Sequence, residues 1–364
     1  MPKIRVLIVD DSVVVRRLVS DVLETNPSIE VAGVAANGRI ALAKIHRVSP
    51  DVIILDVEMP DLGGLGTLRE IRKTYPKLPV IMFSTTTERG AEVTMEALAS
   101  GANDYVSKPA NVGSVGASME QVRQVLIPKI FSVCPHLAPV PPPSEVERRA
   151  RPPKYARIDE RTDVLAIACS TGGPNALTRV LSEFPADFPA PILIVQHMPA
   201  MFTRLLAEQI AKKAQISVSE AIDGELLRPG HAFIAPGDFH LQIARKGTGQ
   251  ILTRLNHDAH ENSCRPSADV LFRSVAEVFG KHTLGVVLTG MGRDGCLGSQ
   301  AIHDAGGQIL VQDQASSVVW GMAGAVVQSH LADGIWPLTE LGEQILQRIK
   351  VARPLWNSHS LSTA

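Results

Sequence analysis

The chain has 364 residues, of which 45% are hydrophobic and 20% charged, which is enough apolar material for two domains of ordinary size. Its formal net charge of −1 gives no general electrostatic reason to expect a nucleic acid or an anionic membrane surface as a partner. Because no apolar run approaches the roughly 18 residues of a membrane helix and the four cysteines form no CxxC pair, we expect a reduced, cytoplasmic protein with no membrane insertion and no disulfide framework.

Short apolar runs alternate with amphipathic segments through residues 1–127. The runs that we predict as strands are IRVLIV, EVAGVA, DVIIL, PVIMF and DYV. Between them lie segments with helical spacing such as VVVRRLVSDVLETN, which Ser12 precedes as a candidate N-cap. Five strands alternating with helices predict an α/β domain with a parallel sheet and helices on both of its faces.

Residues 128–160 differ in composition from the segments on either side. They include the stretch CPHLAPVPPPSEVERRARPPKYARIDE, which is rich in proline and charge and poor in periodicity. Such a segment cannot bury enough apolar surface to fold alone, so we predict a semi-stiff linker. At the other end of the chain, residues 351–364 are predicted to form a disordered tail.

A second alternating series occupies residues 161–350. Its predicted strands include DVLAIACS, PILIVQH, HAFIAP, HLQIA, QILTRL, LGVVLTG and GQILVQD, with helical patterns between some of them. This series predicts a second, doubly wound α/β domain with a mostly parallel sheet. Residues 230–256 hold strands without helices between them, so we expect hairpins that add antiparallel edge strands to that sheet.

Polar residues stand where the strands of the first domain end. Asp10 and Asp11 follow the first strand, Asp56 the third, Ser84 the fourth and Lys108 the fifth. Because ligands of open parallel sheets gather at the carboxyl ends of the strands, these groups should converge on one rim. Three unneutralised carboxylates would repel one another, and a Mg²⁺ ion bound by oxygen ligands would remove that repulsion. The paired aspartates are therefore predicted metal ligands.

A metal at this rim suggests phosphoryl chemistry. Asp56, at a strand end, is placed to act as a carboxylate nucleophile that accepts a phosphoryl group. Mg²⁺ and Lys108 would offset charge on the transferred oxygens. Ser84 could then bond the phosphoryl group and couple its presence to a loop shift.

The motifs VDDS, LDVEMP, FST and SKP make residues 3–125 resemble a response-regulator receiver domain. This resemblance implies a flavodoxin-like fold and phosphorylation of Asp56 by a partner histidine kinase. It implies Mg²⁺ bound by Asp10, Asp11 and Asp56. It also implies that the switch residues are Ser84 and Lys108, with Tyr105 as an aromatic reporter of the switch.

The first strand of the second domain runs into ACSTGGPNAL, where we expect a helix to begin at once. Ser170 thus lies near a helix N-terminus, whose free backbone N–H groups and dipole favour developing negative charge. Gly172 and Gly173 permit close approach and unusual backbone angles. This geometry suits an activated alcohol beside an oxyanion site, and it equally suits a phosphate cradle.

Two further residues complete a possible triad with Ser170. His197 ends the strand PILIVQH, and Asp294 lies in the glycine-rich loop after LGVVLTG. In a triad His197 would take the proton of Ser170, and Asp294 would fix the imidazole tautomer and stabilise the imidazolium. The order Ser, His, Asp and the missing GxSxG motif argue against an ordinary lipase or esterase fold. The competing interpretation is a structural histidine beside a simple tight loop.

Residues 161–348 resemble the catalytic domain of the CheB-type chemotaxis-receptor methylesterases. The resemblance is carried by STGGPNAL, IVQHMP, FTRLLAE, RPGHAFIAPGDFH, CRPSADVLFRSV and LTGMGRDG. It implies hydrolysis of γ-glutamyl methyl esters on methyl-accepting chemotaxis receptors, deamidation of particular receptor glutamines, no cofactor in this domain, and a CheA-type histidine kinase as phosphodonor. By motif it implies a nucleophile, a base, an orienting acid and two active-site neighbours, which are Ser170, His197, Asp294, Thr171 and Met291.

Three positions depart from the patterns of these families. Gly63 stands where receivers usually carry an acidic residue, GMAGA at 321–325 replaces the usual GMP, and Cys264 stands where some methylesterases have histidine. The first departure concerns partner contacts and the second the start of a helix. Cys169 adjoins Ser170, but side chains alternate along a strand, so we expect it to point into the core.

Two other functions compete with this interpretation. If the STGG loop holds a phosphate-bearing ligand and His197 is structural, the chain is a phosphorylation-controlled binding module without hydrolysis. A DNA-binding regulator is not expected, because the second domain lacks a helix-turn-helix pattern and a basic face. His231 and His240 could be taken for a metal pair, but no further ligands stand at coordinating spacing.

Overall fold

The computed structural model describes residues 2–85, 87–108, 115–134, 137, 161–247 and 249–349. The chain divides into two compact units, residues 1–142 and 143–364. Most of the predicted linker and all of the predicted tail lie outside the described residues. Among the residues that are described, no helix combines the length and the apolar composition needed to cross a bilayer.

The first unit is built on a five-stranded sheet. Its strands are β1 (Ile4–Val9), β2 (Ile29–Ala35), β3 (Val52–Asp56), β4 (Val80–Ser84) and β5 (Asp104–Ser107). Its helices are α1 (Val13–Glu24), α2 (Gly38–Val48), α3 (Gly63–Thr74), α4 (Glu88–Ala99) and α5 (Val115–Val133). The strands pair in parallel in the order β2-β1-β3-β4-β5, which confirms the predicted α/β fold of this unit.

Three helices of this unit, α1, α2 and α4, begin at polar caps that the sequence supplies. The Ser12 hydroxyl accepts a hydrogen bond from the backbone N–H of Val15, and Asn37 and Thr87 cap α2 and α4 in the same way. Strand β3 is buried along its whole length and β1 along most of it, which explains why both consist mainly of aliphatic residues. The aspartates of the predicted metal site stand at the ends of these strands, with Asp10 and Asp11 directly after β1 and Asp56 as the last residue of β3.

The second unit contains nine strands, six α-helices and one short 3-10 helix, Gly280–His282, among the described residues. The strands are β6 (Val164–Cys169), β7 (Ile192–Gln196), β8 (Ser217–Glu220), β9 (His231–Ile234), β10 (His240–Arg245), β11 (Ile251–Asn256), β12 (Thr283–Val287), β13 (Gln308–Gln312) and β14 (Gly334–Trp336). The helices are α6 (Gly173–Leu181), α7 (Ala200–Ala211), α8 (Ala268–Phe279), α9 (Cys296–Asp304), α10 (Met322–Gln328) and α11 (Leu338–Ile349). Seven strands form one sheet with parallel pairings, in the order β14-β13-β12-β6-β7-β9-β8.

The prediction that residues 230–256 add antiparallel edge strands to this sheet is wrong. Strand β9 is fully buried and pairs in parallel between β7 and β8, while β10 and β11 form a separate antiparallel hairpin. Leu241 and Ile243 on β10 are buried in the same core cluster as Leu271 of α8, so the hairpin packs its apolar face on that helix. Strand β8 was not predicted, because SVSE lacks an apolar run.

Strand order determines where side chains of the second unit can meet. From β6 the chain proceeds to its neighbour β7 on one side, whereas β12 and then β13 lie on the other side. The crevice at the carboxyl ends of β6 and β12 is thus a topological switch point, the usual ligand-binding position of an open α/β sheet. The segments after β6, β7 and β12 carry the three residues of the predicted triad.

Candidate functional site

Three carboxylates converge at the rim of the first unit. Oxygens of Asp10, Asp11 and Asp56 all lie within 4.8 Å of one another. Asp10 and Asp56 are buried, whereas Asp11 is exposed. The Lys108 ammonium lies 2.9 Å from Asp10 Oδ2 and 2.7 Å from Asp56 Oδ1. The structure thus brings these four sequence-predicted residues into one cluster.

The charge of this cluster is unbalanced, since one lysine faces three aspartates. Burial raises the pKa of Asp56 to about 6, which the hydrogen bond from Lys108 opposes and the charge of Asp10 reinforces. Asp56 Oδ2 is buried and accepts no hydrogen bond from the described residues. An oxygen-rich cluster with an unsatisfied buried carboxylate oxygen fits a hard divalent cation such as Mg²⁺.

The hydroxyl of Ser84, a predicted switch residue, is bonded to the start of α4. It lies 3.1 Å from the carbonyl oxygen of Gly90, and it accepts a hydrogen bond from Thr94 Oγ1 at 2.6 Å. In the described part of the chain it makes no hydrogen bond to Asp56, although both residues end neighbouring strands. Thr94 was not predicted, because a threonine inside an amphipathic helix gives no sequence signal of such a contact.

In the second unit, Ser170 lies in a tight turn between β6 and α6. Its backbone N–H donates to the carbonyl oxygen of Thr289 at 3.1 Å, and its own carbonyl oxygen accepts from Gln196 Nε2 at 2.9 Å. Gly172 has φ of 80°, and a Cβ there would lie 2.7 Å from a Val318 methyl carbon. A glycine is therefore required where the chain turns from the strand into the helix.

His197 and Asp294 form a buried pair. The distance from His197 Nε2 to Asp294 Oδ2 is 2.7 Å, and the His197 side chain is 12% exposed. The Asp294 carboxylate also accepts hydrogen bonds from the start of α8, at 2.7 Å from Ser267 Oγ, 2.6 Å from Ala268 N and 3.1 Å from Asp269 N. Because a helix N-terminus favours negative charge, α8 stabilises the ionised form of this carboxylate.

The electrostatics of the pair follow from these contacts. Burial opposes ionisation of Asp294, but the bonds from His197, Ala268 and Ser267 outweigh it and hold the pKa of Asp294 below its usual range. Burial likewise disfavours the imidazolium of His197, but the bond to Asp294 and the contact with Cys264 outweigh it and raise the pKa of His197 to about 9. These contacts favour the imidazolium of His197 paired with the carboxylate of Asp294.

Ser170 is a main-chain neighbour of His197, but the two side chains are not bonded. The backbone N–H of His197 donates to the carbonyl oxygen of Cys169 at 3.2 Å, so the two strand ends lie side by side. Among the described residues, no hydrogen bond joins Ser170 Oγ to the imidazole. His197 Nδ1, the nitrogen that Asp294 leaves available, lies 3.7 Å from Cys264 Sγ. With Nε2 bound to Asp294, Nδ1 is the His197 nitrogen that Asp294 does not occupy.

The other active-site residues implied by motif lie close by in the chain. Thr171 is buried in the turn before α6, and its carbonyl oxygen accepts a hydrogen bond from Thr289 Oγ1 at 2.9 Å. Met291 is 38% exposed in the loop that leads to Asp294. Cys169 is fully buried with its sulfur 3.7 Å from the carbonyl oxygen of Val195, as expected for a core residue, and burial raises the pKa of its thiol.

The remaining sequence candidates have separate structural partners. His231 Nε2 lies 2.7 Å from Ser219 Oγ, whereas His240 Nε2 lies 3.1 Å from the carbonyl oxygen of Ala259, so neither histidine pairs with the other. Tyr105 is buried in the first unit, where the Lys129 ammonium lies 5.1 Å from its ring centroid. Burial raises the pKa of Tyr105 well above its ordinary value.

Sequence reasoning missed the residues that hold Asp294. Asn262 Nδ2 lies 2.8 Å from Asp294 Oδ1 and 2.8 Å from Asp269 Oδ2, and Asp269 in turn accepts a hydrogen bond from Gly298 N at 2.6 Å. The segment SAD before an apolar run was a detectable helix-start signal at Ser267. No sequence signal connected that helix start to a loop 26 residues further along the chain.

The two units define the class of the protein, which is a response regulator joined to a hydrolase-type α/β unit. Residues 6–119 match the family model of the response regulator receiver domain, and residues 165–345 match that of the CheB methylesterase. A protein of Trichodesmium erythraeum, named protein-glutamate methylesterase/protein-glutamine glutaminase, is 50% identical over 358 residues, which are 96% of this chain and all of that protein. The chain belongs to the CheB family of receiver-containing methylesterases, as its motifs predicted.

Other relatives agree with this assignment. A protein of the same name from a Nocardioides species is 49% identical and covers 97% of this chain and 98% of its own. The crystal structure of the Thermotoga maritima CheB methylesterase catalytic domain is 36% identical, covers 53% of this chain and 100% of its own, and superposes with a TM-score of 0.51. These relatives do not favour the rival prediction of a binding module without hydrolysis.

Proposed function

We propose that this chain hydrolyses γ-glutamyl methyl esters on methyl-accepting chemotaxis receptors, releasing methanol, and deamidates particular receptor glutamines. Its family and the names of its relatives support the reaction class. The observation that carries the chemistry is the buried contact of 2.7 Å between His197 and Asp294, one strand away from Ser170. That arrangement supplies a base of fixed orientation beside an alcohol.

The reaction proceeds through an acyl-enzyme. Ser170 Oγ attacks the ester carbonyl carbon while its proton passes to His197 Nδ1, and the carbonyl oxygen becomes an oxyanion. The adjacent N-terminus of α6 stabilises that negative charge. The C–O bond then breaks and His197 returns the proton to the leaving methoxide. Water, deprotonated by His197, then attacks the acyl carbon; the bond to Ser170 Oγ breaks, and His197 returns the proton to Oγ as glutamate is released. With a glutamine substrate the first product is ammonia.

Asp294 fixes the orientation of the base. It holds Nε2 and so leaves Nδ1 as the nitrogen that exchanges protons with substrate groups. Its negative charge stabilises the imidazolium that forms when Ser170 is deprotonated. Thr171 and Met291, on the two loops beside Ser170 and Asp294, would shape the pocket around the substrate carbonyl.

The first unit regulates this reaction as a receiver. Asp56 accepts the phosphoryl group from a CheA-type histidine kinase. Asp10, Asp11 and Asp56 would hold a Mg²⁺ ion, which would supply positive charge to offset that of the transferred oxygens. Lys108 adds a second positive charge. Ser84 leaves its partners on α4 to bond the phosphoryl group, and this movement raises the esterase rate. We assign the receiver to residues 1–127, the linker to 128–160 and the catalytic domain to 161–350. Helix α5 continues to Val133, so its last residues lie within the range assigned to the linker.

The test uses receptor membranes that carry labelled methyl esters. The wild-type chain with Mg²⁺ and a small phosphodonor should release volatile label, and without the phosphodonor release should be slower. Ser170→Ala should lower the rate by about 10⁴, because members of a triad act as a unit. Asp56→Asn should keep the basal rate and lose the response to phosphodonor. Near-normal methanol release by Ser170→Ala would dismiss the assignment of the nucleophile.

A further inference from the structure

A single turn places two side chains against the His197–Asp294 pair. Residues 261–264 form this turn, in which Glu261 and Cys264 exchange backbone hydrogen bonds of 3.1 and 2.9 Å. The central residues Asn262 and Ser263 have φ of 52° and 61°. Positive φ at both central positions is the backbone signature of a type I′ turn, a tight and well-defined conformation. The side chains of Asn262 and Cys264 therefore leave the turn in fixed directions.

The turn is anchored on α8, the helix that also holds Asp294. Glu261 forms a two-pronged ion pair with Arg273 of α8, with contacts of 2.7 and 2.6 Å. Asn262 bridges Asp294 and Asp269, also of α8, at 2.8 Å each. Two side-chain anchors in addition to the backbone bonds leave little freedom for the residue that follows them. Cys264 is thus held at a fixed position beside the pair.

Cys264 is the polar neighbour of the available nitrogen of the base. Its sulfur lies 3.7 Å from His197 Nδ1, a distance compatible with a weak hydrogen bond between thiol and imidazole. Since Nε2 is bound to Asp294, Nδ1 is the nitrogen that must receive the proton of Ser170. We propose that Cys264 is a positioning residue for His197. The Cys264 thiol holds the imidazole ring with Nδ1 directed into the cleft until the Ser170 hydroxyl replaces the thiol as the partner of Nδ1. Its role in turnover rests on the function proposed above, whereas the thiol–imidazole contact does not.

Titratable side chains face His197 from two directions. Asp294 faces it from the loop after β12, and Cys264 faces it from the turn. Asp269 lies one step further away and reaches Asp294 through Asn262. If Cys264 positions the ring, its removal should change how His197 titrates while Asp294 and Asp269 remain unchanged.

The first measurement is a titration of the His197 imidazole by NMR in the full-length chain with isotope-labelled histidine. Relative to wild type, Cys264→Ala should lower the midpoint, because the imidazolium loses one partner, and Cys264→Ser should lower it less. Ser263→Gly is the matched control, since it keeps the positive φ of the turn and leaves both flanking side chains in place. An unchanged midpoint in a folded Cys264→Ala chain would overturn the proposal.

The second measurement tests the same contact through the reactivity of the Cys264 thiol. Cys134, Cys169 and Cys296 are buried, whereas Cys264 is partly exposed, so iodoacetamide should alkylate Cys264 first. At pH 7 the rate should be several-fold lower in His197→Gln than in wild type, because an adjacent imidazolium stabilises the attacking thiolate. Mass spectrometry identifies the labelled residue. Equal rates in the two chains would argue that the sulfur does not contact the base.

The third measurement separates this proposal from the function on which its role in turnover rests. In the methanol-release assay above pH 9, where His197 is largely neutral in both chains, Cys264→Ala should lower kcat about three- to tenfold with little change in KM, as expected for a lost orienting contact. An unchanged kcat in an active enzyme would overturn the positioning role alone. If wild type releases no methanol, the proposed function fails, and the titration and alkylation still decide whether Cys264 orients His197.

Discussion

The two buried carboxylates at the centres of the two units are in opposite electrostatic situations. Asp56 has one lysine and another buried aspartate beside it, and burial raises its pKa to about 6. Asp294 receives hydrogen bonds from a helix start and from His197, and its pKa lies below its usual range. A carboxylate such as Asp56, with one buried oxygen that accepts no hydrogen bond from the described residues, is suited to take a cation and a phosphoryl group. One that is fully satisfied is suited to hold another residue in place.

The largest expected effect comes from removing the charge of Asp294. Asp294→Asn should lower kcat by about 10⁴. The NH₂ group of the asparagine side chain would face the backbone N–H donors at the start of α8, and Nε2 of His197 would lose its acceptor. The same variant should lower the pKa of His197 towards its ordinary value of 6.5. Methanol release and histidine NMR on the same sample measure both. Asp333→Asn, which removes another partly buried carboxylate outside the site, is the control for general loss of structure.

The pH dependence tests the state of the resting pair. His197 must be neutral at Nδ1 to accept a proton, and its pKa of about 9 keeps it mostly protonated at neutral pH. kcat/KM should therefore rise about tenfold from pH 7 to pH 8 and level off above pH 9. A profile that levels off near pH 6.5 would show that the imidazole is not stabilised as the structure indicates. Stopped assays on pre-labelled membranes across pH 6–10 give the profile.

Most of the architecture could be predicted from the sequence, because parallel sheets with both faces covered produce continuous apolar strands. The residues at strand ends, among them Asp56 and His197, could be predicted for the same reason, since the chain itself marks the end of each strand. The partners of Asp294 could not, because they depend on how α8 and the 261–264 turn pack against a distant loop. Packing also determines that Asp294 contacts Nε2 of His197 and not Nδ1, and the sequence gives no signal of this.

The bridge made by Asn262 should have an intermediate effect. Asn262→Ala removes the donor shared by Asp294 and Asp269, and a hydrogen bond to a charged group contributes about 1.5–3 kcal/mol, so kcat should fall about tenfold or more. Asn262→Asp should be more damaging, because it adds a third negative charge to two buried carboxylates. Equal activity of the alanine and aspartate variants would contradict the idea that the amide separates the two charges. Ser263→Gly again serves as the control within the turn.

The smallest expected effect is a change of thermal stability with Mg²⁺. It distinguishes the two units, since only the first should respond to the cation. The carboxylates of Asp10, Asp11 and Asp56 repel one another, so a bound cation should raise the Tm of the first unit by a few degrees at saturating Mg²⁺. Asp11→Asn keeps both ion pairs of Lys108 and should reduce this rise. The chain has three tryptophans, all after residue 319, so their fluorescence reports on the second unit. Calorimetry should show an unfolding transition whose Tm rises with Mg²⁺, whereas the Tm reported by tryptophan fluorescence should not change. A rise of Tm in both measurements would mean that the cation acts outside the aspartate cluster.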